Sequence, residues 1–169
     1  MTTSREAELL AHAVRLATDN AAAGQLPFGA LVVRDGEVLA TGVNTALRDH
    51  DPTAHAEVQA IRNACATLGV LDLRDAVVVS SCEPCAICQT VSAAAGISRI
   101  LYAAPRKYVP DLGAPGRPGV GERMTRLQDV VRSAFPESVV YVPTEGADLP
   151  FTRFLELGAG RDTDKGHSS

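Results

Sequence analysis

Cys85 and Cys88 open a helix directly after a strand that begins with the β-branched run Ala76-Val77-Val78-Val79, and thirty residues before Cys85, His55-Ala56-Glu57 opens another. An imidazole and two thiolates are ligands that zinc favours, and three protein ligands leave a fourth tetrahedral position for water. Such a site constrains the fold, because two helix starts from separate parts of the chain must meet at one ion. Cys85 and Cys88 at i and i+3 share a helix face. The free N–H groups and dipole of a helix start favour thiolates there. Pro84 fits the first helical position, where its missing N–H is no loss. The chain opens MTTSREAELLAHAVRL, with no charged-then-apolar leader. A cytosolic chain is therefore expected, in which clustered Cys and His serve a metal before a disulfide framework. No apolar run approaches the roughly 20 residues needed to span a membrane.

The surrounding pattern is α/β. Residues 4–23 read as an amphipathic helix, with Leu9, Leu10, Ala13, Val14, Leu16 and Ala17 at helical spacing. Ser4 is the expected N-cap and no capping box is read, since Ala7 stands three residues later; Gly24 and Pro27 end the helix. Phe28–Val33 and Glu37–Val43 flank Arg34-Asp35-Gly36, a hairpin signal. A polar loop is expected over 44–53 and a helix over 54–68, closed by Gly69. The run 76–79 reads as a strand buried on both faces, followed by a small-residue helix over 85–95 and a strand over 98–103. Residues 105–121 hold four Pro and four Gly, a loop too long to be a mere connection. Helix 122–135, strand 138–142 and helix 149–157 complete one domain over 1–157, with 158–169 expected as a disordered tail. At 169 residues the chain suits one domain, built as a mixed sheet with helices on both faces or a three-layer α/β/α sandwich.

Glu57 adds chemistry to the ligand set. Two residues after His55, it would point elsewhere on a regular helix, but the two converge if His55 stands at the very N-terminus. A carboxylate beside the metal, rather than on it, can take a proton from the activated water and return it to a leaving group. His-x-Glu followed by Pro-Cys-x-x-Cys is the signature of the zinc deaminases. With Pro27-Phe28-Gly29-Ala30, Asp51-Pro52-Thr53-Ala54-His55-Ala56-Glu57, Ser81-Cys82-Glu83-Pro84-Cys85 with Cys88, and Tyr102-Ala103-Ala104, the chain resembles the cytidine/deoxycytidylate deaminase superfamily. Within it the likeness is to the small nucleobase deaminases typified by bacterial guanine deaminase.

The resemblance implies a three-layer α/β/α fold around a five-stranded mixed sheet, and a homodimer. It implies that His55, Cys85 and Cys88 hold Zn2+ and that Glu57 is the proton shuttle. Glu83 would assist in proton transfer. Asn44 would hydrogen-bond the substrate base, Phe28 would wall the pocket, and the backbone around Ala56 and Cys85 would position the water.

Other readings stay open. Cys82 extends the run to Cys82-x2-Cys85-x2-Cys88, so a closed structural Cys3His site is possible. The motifs also overlap those of the tRNA adenosine deaminases, but 16 Lys+Arg against 20 Asp+Glu, a net charge of −4, argue against a phosphate-backbone partner. A small free base or nucleoside is the expected substrate. Guanine leads, although the chain has Ala93-Ala94-Ala95 where the family's guanine enzymes carry an aromatic residue. The Pro/Gly-rich loop offers only Asp111 and Glu122 to guanine's N–H donors, with Glu145 or Asp148 as possible substitutes. Cytosine and aminotriazines therefore stay in view. With four Phe, three Tyr and no Trp, the phenyl rings able to face a planar ligand are chiefly Phe28, Phe151 and Phe154. His50 could line the pocket mouth, Cys65 reads as a buried small hydrophobe, and Arg106 with Lys107 as a solvated pair. A binding module without turnover would be marked by loss of Glu57, which is present.

Overall fold

A computed structural model of the chain describes residues 3–112, 120–134 and 138–163. The first helix, α1, spans Ser4–Ala22. Its N-cap is Thr3, not Ser4, and a capping box is present after all. The Thr3 hydroxyl accepts from the Glu6 N–H at 3.1 Å, and Glu6 accepts from the Thr3 N–H at 2.9 Å. The reciprocal pair Thr3/Glu6 satisfies two end donors where Ser4 would satisfy one.

Strands β1 (Gly29–Arg34) and β2 (Glu37–Val43) form the hairpin. Asp35 and Gly36 take φ of 51° and 79°, the left-handed pair that a tight two-residue turn needs. The polar stretch after β2 is not all loop, since one helical turn, α2 (Ala46–Asp49), forms within it. Helix α3 (Ala56–Leu68) ends on Gly69 with φ 66°. Strand β3 (Val77–Cys82) leads into α4 (Ala86–Ala94), and β4 (Arg99–Ala104) into a short 3-10 turn over Arg106–Tyr108. Helix α5 (Val120–Ala134), strand β5 (Val139–Tyr141) and helix α6 (Leu149–Thr163) follow. Helix α6 continues past Leu157, so the first residues of the expected tail are helical; residues 164–169, like 113–119 of the Pro/Gly-rich segment, lie outside the described residues.

The five strands lie in the order β2-β1-β3-β4-β5. The β2-β1 and β1-β3 pairs are antiparallel, β3-β4 and β4-β5 parallel. The inner strands β1, β3 and β4 are buried on both faces. Leu31, Val33, Val79 and Leu101 pack beneath α1 with Leu10, Ala13 and Val14. Ala30, Val32, Val78 and Ile100 turn the other way, onto Ala56, Ala60, Ile61 and Ala64 of α3. Helix α4 lies beside α3, α5 beside α4, and α6 against α1. Gly42 on β2 sets the spacing of that second layer: a Cβ there would stand 2.3 Å from the Ala56 carbonyl oxygen and the Ala60 nitrogen. Strand and helix thus meet backbone to backbone, which fixes where α3 begins. No helix among the described residues is long and apolar enough to cross a membrane.

Candidate active site

His55 and Cys85 are the N-caps of α3 and α4, both with extended backbone (φ −74°, ψ 155° and φ −76°, ψ 174°). Pro84 therefore precedes the cap instead of taking the first helical position. Cys88 stands in the first turn of α4 and is buried. The Cys85 and Cys88 Sγ atoms are 3.6 Å apart, and each lies near His55 Nδ1, at 3.4 Å and 3.5 Å. Zinc bonds of about 2.3 Å to S and about 2.1 Å to N at tetrahedral angles require about 3.8 Å between sulfurs and about 3.6 Å between S and N. The triangle fits one zinc ion. Among the described residues, the His/Cys/Asp/Glu cluster with ligand atoms this close is His55, Cys85 and Cys88. Cys82 is not in it. It is 4% exposed, packs on Ala104 and Phe151, and burial pushes its thiol up to about 12. That geometry opposes the closed Cys3His reading.

The cap position of His55 also resolves the spacing of Glu57, which turns inward on the first turn of α3. Glu57 is 6% exposed, with Ser80 Oγ–H donating to Oε1 at 2.9 Å and the Cys88 thiol donating to Oε2 at 3.2 Å. Burial, and then the nearby Cys85 sulfur, raises the Glu57 pKa. The hydrogen bond with Cys88, opposed by burial, holds the Cys85 thiol down at about 4. Its hydrogen bond to Cys85 in turn raises His55. Both shifts favour the ionised form of Cys85 beside the His55 imidazole.

A cavity of about 390 Å³ opens onto this triangle, lined by Phe28, Asn44, Glu57 and Glu83 among others, with Arg106 and Val109. That is near the small end of ligand pockets, which run from roughly 300 to 1,000 Å³. Asn44 is 3% exposed; its Oδ1 accepts from the Ala46 N–H at 3.1 Å, which leaves the NH2 end as the donor to spare. Phe28 meets Phe151 edge-on at 6.0 Å, so the start of α6 braces the pocket wall, while Phe151 itself does not line the cavity. Ala56 is wholly buried against β2 and does not line it either. Glu83 does, but both its oxygens are engaged: Oε2 accepts from the Arg106 N–H and Oε1 from Arg132, each at 3.0 Å. His50 is exposed, and Ala93–Ala95 line a separate surface depression beside Leu71 and Arg74. Glu145 and Asp148 are exposed and away from the cavity lining, as are Asp111 and Glu122. Arg106, read from sequence as merely solvated, stands at the cavity mouth; Lys107 lies 5.2 Å from the Tyr108 ring.

Several residues that build the site went unread. Asn20 of α1 is buried and its Nδ2 donates to the Leu26 and Asn44 carbonyls at 2.8 Å, tying together two segments of the cavity wall. Its signal was present: an amide on the same stripe as Ala13 and Ala17. Ser80, Gln128 and Arg132 carry no such mark, since their partners are distant in sequence, and Gln89, five residues from the Pro84 carbonyl it bonds, reads as an ordinary helix position.

The zinc-binding region profile of the cytidine and deoxycytidylate deaminases matches residues 3–104. Guanine deaminase of Bacillus subtilis is 43% identical over 105 residues, covering 62% of this chain and 67% of that protein. A solved structure of a guanine deaminase from the same species aligns at 44% identity with a TM-score of 0.57, over 59% of this chain and 64% of that one. The tRNA-specific adenosine deaminase of Buchnera aphidicola is 34% identical over 56% of this chain and 59% of its own length. A guanine deaminase structure from Nitrosomonas europaea shares the fold over 94% of this chain and 86% of that one, with a TM-score of 0.68 at 22% identity. In sequence, then, the chain spans about two thirds or less of these curated relatives.

Proposed function

Because the chain belongs to the family defined by the cytidine and deoxycytidylate deaminase zinc-binding region, we propose that it is a zinc-dependent hydrolytic deaminase. Its substrate is a small free nucleobase or related amino-heterocycle of the guanine, cytosine or aminotriazine type, and it releases ammonia. His55, Cys85 and Cys88 would hold the ion. Zinc, when bound, acts as a Lewis acid and lowers the pKa of a water to about 7, so that a nucleophile is available at neutral pH.

The remaining work falls to the chain's own groups. Cys88 gives up its proton on taking a metal, which frees Glu57 Oε2, while Ser80 keeps Oε1 occupied. Glu57 then takes one proton from the attacking water at Oε2 and delivers it to the ring nitrogen as the water oxygen bonds the ring carbon. It next relays the second proton, from the new C–OH group, to the amine, whose C–N bond breaks to release ammonia and leave a carbonyl. Its raised pKa moves it toward the pH at which a general acid–base is most efficient. The Asn44 NH2 donates to an acceptor on the ring, and Phe28, braced by Phe151, packs against it. Glu83, with both oxygens engaged, serves as a tether and takes no part in proton transfer in this reading. Ala56 contributes its position at the start of α3 and no side-chain contact. The cytoplasmic setting and the homodimer belong to the same reading and rest on the sequence and on family resemblance.

One observation carries this reading: a buried glutamate beside the ligand triangle, hydrogen-bonded by Ser80, facing a cavity of about 390 Å³. A closed structural site has no use for such a group. A second reading, deamination of adenosine within an RNA, is favoured by Arg106 at the cavity mouth beside Lys107, where a phosphate could approach. The test is ammonia release by zinc-loaded protein from guanine, cytosine, cytidine, adenosine, aminotriazines and an adenosine-containing RNA stem-loop. Turnover of a free base supports the first reading. Turnover of the RNA alone supports the second, and none from any substrate overturns both.

A further inference from the structure

Five hydrogen bonds converge on Glu83 and Pro84, the two residues in front of the ligand Cys85. The Glu83 N–H donates to the Ala104 carbonyl at 2.9 Å, and its carboxylate accepts from the Arg106 N–H and from Arg132 Nη1, each at 3.0 Å. The Pro84 carbonyl accepts from Gln89 Nε2 at 2.9 Å and from Gln128 Nε2 at 2.7 Å, which uses both its lone pairs. Two of the five come from α5: Gln128 and Arg132 stand at i and i+4, on one face of that helix. Elsewhere α5 is largely exposed, with Leu127 and Val130 at 51% and 66%.

The arrangement is costly in a specific way. Gln89 and Gln128 are both buried, and among the described residues the amide oxygen of each has no hydrogen-bond partner. An unpaired buried acceptor is unfavourable, and an apolar side chain of similar size would fill either space without it. Two amides aimed at one carbonyl make sense where the position of that carbonyl matters. A planar peptide links the Pro84 carbonyl to the Cys85 nitrogen, so clamping the carbonyl sets the direction in which the Cys85 side chain leaves the backbone. That direction places Sγ 3.4 Å from His55 Nδ1.

We infer that Gln128 and Arg132 are positioning residues for the metal centre, through which α5 holds the Glu83–Pro84 turn and with it the aim of Cys85. The inference rests on the zinc reading of the site and not on the identity of the substrate. Partners that orient ligands from outside the coordination shell are worth about 10–100-fold in metal affinity or activity.

The test uses the full chain with Gln128→Leu and Arg132→Ala, read by zinc affinity in competition with a chelating dye and by the absorption spectrum of the cobalt-loaded protein. Both variants are expected to bind zinc about tenfold or more weakly and to shift the thiolate-to-cobalt bands, with helical content unchanged. The structure records a single nitrogen–oxygen contact between Arg132 and Glu83, so Arg132→Lys should restore most of the affinity. Arg126→Ala, which breaks the exposed Arg126–Glu122 pair on the same helix, is the control and should leave both readouts unchanged. Should Gln128→Leu fail to fold, Arg132→Ala, altering a half-exposed side chain, carries the test alone. Wild-type zinc affinity and cobalt spectrum in the folded variants would overturn the inference, as would an equal loss in Arg126→Ala. A chain that binds zinc normally but deaminates nothing would instead refute the functional reading and leave this one standing.

Discussion

Gly42→Ala tests whether the backbone contact between β2 and α3 sets the catalytic geometry. The added Cβ would lie 2.3 Å from both the Ala56 carbonyl oxygen and the Ala60 nitrogen, and 2.9 Å from the Ala60 Cα. These are backbone atoms, so no side-chain rotation relieves the clash. Restoring an ordinary contact of 3.4 Å means sliding the start of α3 away by about 1 Å. The overpacking should cost about 1–3 kcal/mol, which at about 2–4 °C per kcal/mol for a chain this size lowers Tm by about 2–12 °C. The effect on the reaction should be larger in proportion. His55 caps that helix and Glu57 lies in its first turn, and a 1 Å misplacement of reacting groups can cost about 100-fold in rate. Melting by circular dichroism, zinc content, and ammonia release from whichever base the wild type turns over measure the three effects. Gly158→Ala is the control, because among the described residues nothing lies within 4 Å of its added Cβ. A Gly42→Ala protein with wild-type Tm and wild-type kcat would refute the claim that this contact places α3.

Other outcomes follow from the site. Cys82→Ser should keep zinc and activity while Cys85→Ser loses both, as measured by metal analysis; equal zinc loss in the two would restore the closed Cys3His site. In chelator-stripped protein, iodoacetamide should label Cys85 readily at pH 6, because its thiol, held at about 4, is already ionised there, and rise little by pH 8. Cys82, pushed up to about 12, should stay unlabelled across that range, and zinc should protect Cys85; peptide mass mapping distinguishes the sites. Ser80→Ala should retain zinc but lower kcat by about 10–100-fold, since it frees the Glu57 oxygen now fixed at 2.9 Å. Unchanged kcat in that variant would remove Ser80 from the mechanism.

The fold was legible where local chemistry dictates it. Asp35-Gly36 could be read as a turn because both residues tolerate positive φ, and the run 76–79 as a strand because β-branched residues suit a sheet covered on both faces. The first N-cap differs by one residue from the expected Ser4 because Ser and Thr both cap well, and only the reach of Glu6 back to Thr3 decides between them. The metal triangle was legible because ligand chemistry admits few residue types, and helix starts are recognisable from Pro84 and from the polar stretch before His55. What supports the triangle was not. Gly42 means nothing until α3 lies across it, and Gln128 meets Pro84 across 44 residues of chain. The exposed positions of Glu145 and Asp148 show the reverse case, where sequence order put carboxylates within reach and packing turned them away.

The most direct test of the central claim, that Glu57 moves protons beside a zinc held by His55, Cys85 and Cys88, is the turnover of zinc-loaded Glu57→Gln. Glutamine keeps the shape and can still accept from Ser80, but it cannot take up a proton. Zinc content and substrate binding equal to wild type, with kcat lower by about 10²–10⁴-fold, is the expected result. Wild-type kcat in that variant, or loss of the metal itself, would contradict it.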